Sequence, residues 1–120
     1  MKAGEKPDEP HKAVDEAAIE QALDRMWTRF LPDIRERAAM LDVAAKAAAR
    51  GALNQAARAD AQSAAHKLAG TLGTFGLARG TDLARELELL YAGSEGLEGA
   101  QAQRLAALAG EIKAIIEGRK

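Results

Sequence analysis

From Val14 to Ile115 apolar side chains return every three or four positions, and the period breaks near Pro32, Arg50-Gly51, Gly76 and Gly93. A 3.6-residue period kept up over that length specifies amphipathic helices and argues against strands, which need alternation. Ile19, Leu23, Met26, Trp27 and Phe30 mark a first helix, with Asp15 as N-cap and Glu16 in its first turn, ending near Leu31. Pro32 lacks an amide donor and bends or breaks the chain there. Ile34, Ala38, Leu41, Ala45 and Ala48 carry the pattern on, either as a second helix or as the far half of one kinked rod. Arg50-Gly51 closes it. The next helix spans about Leu53 to Phe75, with Gly76 as a left-handed stop. Leu83, Leu87 and Leu90 define another, with Thr81 as a possible cap near its start and Gly93 at its end. The last carries Leu105, Leu108, Ile112 and Ile115, with Gly118 past its end. Short loops between such helices make neighbours antiparallel, so the expected fold is an all-α bundle.

Only four aromatic residues (Trp27, Phe30, Phe75, Tyr91) are available, so aliphatic side chains must fill the core. Alanines on facing helices let their axes approach toward the lower end of the usual ~8–10 Å. The expected organisation is a disordered tail or linker stub over 1–13, where Pro7 and Pro10 stand among charges, and one domain over 14–118. His11 lies in that tail without neighbouring ligand or catalytic partners in the sequence.

Composition removes whole classes of function. With no cysteine there is no disulfide, thiolate metal site or thiol nucleophile. No metal-ligand spacing, phosphate-binding glycine loop or serine nucleophile elbow is present, so neither a metal site nor a dedicated kinase or hydrolase is expected. The formal net charge is −1 with acids and bases interleaved, which gives nucleic acid no basic stripe to bind. No apolar run reaches the ~18 residues of a membrane span, and the charged, proline-broken start is unlike a secretory leader. A cytoplasmic monomer is the expectation.

The stretch AHKLAGTLGTFGL, residues 65–77, departs from this economy. With His66 set at zero on a helical wheel, Leu68, Leu72 and Phe75 fall at roughly 200°, 240° and 180°, so the buried stripe lies opposite the histidine. Gly70 falls at roughly +40° and Gly73 at roughly −20°, on the histidine's own face, with Ala59 and Ala69 flanking it. A mid-helix glycine costs about 1 kcal/mol relative to alanine. Two of them beside an exposed imidazole imply that another body approaches it closely. The plainer alternatives are a frayed helix end and an ordinary surface histidine.

The run His66-Lys67-Leu68-Ala69-Gly70, then Gly76-Leu77, then Leu83-Ala84-Arg85-Glu86-Leu87-Glu88, resembles the signature of histidine-containing phosphotransfer (HPt) domains of bacterial two-component phosphorelays. The resemblance covers nearly the whole chain beyond the tail. It implies an up-down antiparallel four-helix bundle with an additional N-terminal helix, and makes His66 the phosphoacceptor. It further implies that His66 takes a phosphoryl group from a receiver-domain aspartate, or from a hybrid sensor histidine kinase relay, and passes it to another receiver aspartate. Gly70 matches the small residue that keeps the site open, and Gly73 and Ala69 join it as the access surface for the receiver. One departure is Ala69, where the family often has lysine; Lys67 is the available cation, either supporting the phosphoryl group or merely solvated. Gln62, at roughly −40°, and Ser63, at roughly +60°, are candidates to hold the ring or a phosphate oxygen. The chain would need no cofactor of its own, with Mg²⁺ coming from the receiver. Two rivals stay open: a helical module that sequesters response regulators without carrying phosphate, and a purely structural bundle.

Overall fold

The computed structural model describes residues 8–119, with side chains from Asp15 onward. The expected tail over 1–13 therefore falls partly outside the described residues, and so does the His11 side chain. Among the described residues there are four helices and no strands: α1 (Asp8–Ala49), α2 (Gln55–Thr74), α3 (Ala78–Ala92) and α4 (Ala100–Gly118). The chain divides into two compact units, Met1–Pro32 and Asp33–Lys120. In the first, Ile19, Met26 and Phe30 are exposed and Trp27 is buried.

Two expectations need correction here. Helix runs unbroken through Pro32, so the two N-terminal segments are one element and, among the described residues, no separate additional helix precedes the four. One missing amide donor is a cost of about 3 kcal/mol that the flanking periodic segments absorb. The helix also begins at Asp8, so Asp15 lies inside it and is not its N-cap.

In the second unit, side-chain ties fix the topology. Arg35 near the start of this part of α1 pairs with Glu117 at the end of α4, at 2.7 and 2.8 Å, and the guanidinium holds the Glu117 carboxyl below its usual range. Arg79 and Arg104 of α3 and α4 pair with Glu111 and Glu86, early with late in both cases, which makes α3 and α4 antiparallel. Ala69 with Thr81, and His66 with Glu88, give the same sense for α2 and α3. The core between them follows the expected period: Ile34, Leu41, Ala45 and Ala48; Ala61, Ala65, Leu68 and Leu72; Leu83, Ala84, Leu87 and Tyr91; Leu105, Leu108, Ile112 and Ile116. Each buried leucine or isoleucine contributes about 1.5–3 kcal/mol relative to exposure.

The ends of α2 and α3 are what place the site. Asn54, one residue later than the expected start, caps α2 by accepting from the Ala57 amide at 2.7 Å. At the other end Gly76 takes φ +76°, as the sequence predicts. The Leu77 amide bonds back to the Leu72 carbonyl at 2.9 Å and the Gly76 amide to Gly73 at 3.0 Å. This tight reversal lays α3 directly back along α2. Thr81 is not a cap: it is buried, and its hydroxyl donates to the Ala69 carbonyl across the seam at 2.9 Å. Gly118 closes α4 from inside, with Arg119 as the C-cap.

Candidate functional site

His66 stands on the side of α2 that borders α3, with its side chain 73% exposed. Its Nδ1 lies 2.8 Å from Glu88 Oε2. An ionised carboxylate can only accept, so in the neutral ring this contact places the proton on Nδ1 and leaves the lone pair on Nε2, across an exposed ring. Beside the ring is an open depression lined by Ala69, Gly70, Arg85, Glu88 and Leu89. Gly70 is part of its lining, and a Cβ built there would meet nothing within 4 Å. On this side of α2 an approaching group meets the bare helix surface at Gly70.

Gly73 has a further reason for its lack of a side chain. Gly73 is exposed, but a Cβ there would stand 3.2 Å from Thr81 Oγ1, so this glycine also eases the close approach of α3. Ala69 borders both the cleft and the seam. It lines the depression yet is only 5% exposed, its carbonyl taken by Thr81. The wheel position explains both, because α3 lies against the side of α2 at roughly 280–340° from His66, where Ala69 and Gly73 fall.

That position also sorts the remaining candidates. Lys67 and Ser63, at roughly 100° and 60°, turn away from α3; both are exposed and neither lines the depression. Gln62 is half-buried and is not among its walls. The structure therefore brings together His66, Gly70 and Ala69, and does not bring Lys67, Gln62, Ser63 or Gly73 into the same cleft.

Three residues of α3 take their place. Glu88 holds the ring. Leu89, 73% exposed, puts a large apolar side chain on the rim. Arg85, one turn before Glu88, supplies the only cation among the described residues that line the depression. A signal for them existed in the sequence. His66 lies ten residues before the Gly76 reversal and Glu88 twelve after it, so an antiparallel hairpin centred on Gly76 sets them nearly level. Among the described residues no group of three or more His, Asp and Glu side chains is placed to hold a metal ion. No helix among them is long and apolar enough to cross a membrane.

The model of the Hpt domain family matches residues 25–118. Over 76 residues, 63% of this chain, the sequence is 37% identical to Protein RcaC of Microchaete diplosiphon, a match that covers 12% of that protein's length. No solved structure matches.

Proposed function

The chain belongs to the Hpt domain family, and from that premise we propose that His66 accepts a phosphoryl group from the aspartyl phosphate of a receiver domain and passes it to another receiver aspartate. The observation that carries the reading is the pairing of Nδ1 with Glu88 at 2.8 Å on a ring that is otherwise exposed. The Nε2 lone pair attacks phosphorus, the N–P bond forms as the P–O bond to the receiver carboxylate breaks, and that carboxylate leaves with the electron pair. The ring, still protonated on Nδ1, becomes cationic. Glu88 then faces a full positive charge and stabilises it. Onward transfer is the same step run in reverse against a second aspartate.

Phosphoryl transfer rests on in-line positioning and charge neutralisation rather than on covalent help from the protein. In this reading Mg²⁺ belongs to the receiver, and the bundle supplies an oriented ring above the cleared Gly70 surface. Leu89 and Ala59, both exposed, provide apolar contact for the docking receiver. The donor is a receiver domain or a hybrid sensor histidine kinase that carries one, and the protein works as a monomer in the cytoplasm.

The test is to load a panel of receiver domains with labelled phosphate, add this protein with Mg²⁺, and follow label beside a His66→Gln control. Acid-labile, alkali-stable label on the wild type that vanishes in the control is the expected result. Receivers that bind without transferring would replace this reading with a module that sequesters response regulators.

A further inference from the structure

The α2–α3 cleft holds a charge problem that His66 and Glu88 do not solve. An arriving phosphoryl group brings three acceptor oxygens and about two negative charges. It arrives beside the Glu88 carboxylate, whose negative charge is already committed to the ring. The sequence offers Lys67 as the compensating cation, but Lys67 falls at roughly 100° from His66 on the helix and is not among the residues lining the depression.

We infer that Arg85 is the group that receives the phosphoryl oxygens. Three observations carry this, and the inference rests on His66 being the phosphoacceptor. First, Arg85 lines the depression that contains His66 and Gly70. Second, it lies on α3 between the two places where that helix is tied to α2, Thr81 to Ala69 and Glu88 to His66, so its backbone is fixed at the level of the cleft. Third, its guanidinium has no ion pair or hydrogen bond among the described residues. By contrast Arg58 is spent on backbone carbonyls, and Arg79 and Arg104 are paired with Glu111 and Glu86. An arginine left uncommitted beside an open nucleophile is available to a planar, multidentate acceptor such as a phosphoryl group.

The step balances without any further group. With phosphoramidate as donor, Nε2 attacks phosphorus, the P–N bond to the donor nitrogen breaks, and ammonia leaves. Nδ1 keeps its proton on Glu88, and the guanidinium donates to the phosphoryl oxygens before, during and after transfer. Because these charges meet in a partly solvated cleft, salt screens them.

Phosphoramidate needs no docking surface, so it separates charge stabilisation from receiver binding. Loading of His66 and the lifetime of the phosphohistidine would be followed by phosphorus NMR in wild type, Arg85→Gln, Arg85→Lys, Lys67→Ala and His66→Gln. The expected result is loading slowed about tenfold in Arg85→Gln, largely restored in Arg85→Lys, with the deficit shrinking as ionic strength rises and thermal unfolding unmoved. Arg85→Gln loading at the wild-type rate overturns the inference while leaving the phosphoacceptor intact, as does a loss confined to Lys67→Ala. Label that persists in His66→Gln, or a wild type that takes none, overturns the phosphoacceptor reading and this inference with it.

Discussion

The seam between α2 and α3 is closed at both ends and open in the middle. Toward the Gly76 turn, Gly73 and Ala69 press against Thr81, with a hydroxyl-to-carbonyl bond of 2.9 Å across the interface. At the far end Arg58 donates to the carbonyls of Leu90 and Tyr91 in the last turn of α3 and of Gly93 and Glu95 in the loop after it, tying the two together. Between these lies the cleft of His66, Gly70, Arg85, Glu88 and Leu89. The contrast shows how an exposed ring can be held in one orientation. The closed stretches supply the rigidity, and the open stretch is free to omit side chains. Changes in the closed stretches should therefore spare transfer, and changes in the cleft should slow it.

The largest break in that pattern comes from Arg58→Ala. It removes the clamp on four carbonyls, and chemical denaturation should show a loss of about 2–3 kcal/mol, with Arg58→Lys only a partial substitute because an ammonium lacks the fork. Alkali attacks the same end. Burial pushes the Tyr91 phenol up to about 12, against a smaller opposing pull from the Arg58 charge. The unfolded chain ionises this group near its ordinary value while the folded chain keeps it protonated. Its stabilisation is thus complete below pH 10 and is lost as the pH rises from about 10 to 12, by something on the order of 2 kcal/mol. A pH series of melting curves should show this slope in the wild type and not in Tyr91→Phe.

In the cleft, Glu88→Ala should slow phosphoryl transfer about tenfold, the rate equivalent of one charge-assisted hydrogen bond at the low end of its range. Glu88→Gln, whose amide oxygen still accepts from Nδ1, should recover most of it, with melting temperatures unchanged throughout. The finest test compares two glycines one turn apart. Gly70→Ala should stabilise by up to about 1 kcal/mol, since its Cβ meets open space, and should slow docking-dependent transfer. Gly73→Ala should gain less or nothing, because its Cβ crowds Thr81, and should leave transfer alone. Equal behaviour of the two variants would erase the distinction between closed and open stretches.

The sequence makes the helices, the core period and the exposed histidine legible because these depend on residues within one helix. Leu68 and Leu72 opposite His66, and the left-handed stop at Gly76, follow from local geometry alone. What it hides is what lies across the seam. A wheel drawn for α2 puts Gly73 and Gly70 on one face, yet only the presence of α3 separates a glycine beside Thr81 from one beside open space. Glu88, Arg85 and Leu89 cannot be read from α2 alone; only the spacing about Gly76, ten residues after His66 and twelve before Glu88, sets α3 alongside and brings them level with the ring. Pro32 misleads in the other direction. Its local cost argues for a break, and the helix-forming residues on either side outweigh it.

The central claim is that Glu88 fixes the proton on Nδ1 so that chemistry happens at Nε2. Nitrogen-15 and phosphorus NMR of His66 in the free and phosphorylated protein tests this directly. The account predicts a neutral ring protonated on Nδ1 before transfer and an Nε2–P bond after it; phosphate on Nδ1, or a free ring protonated on Nε2, would contradict it.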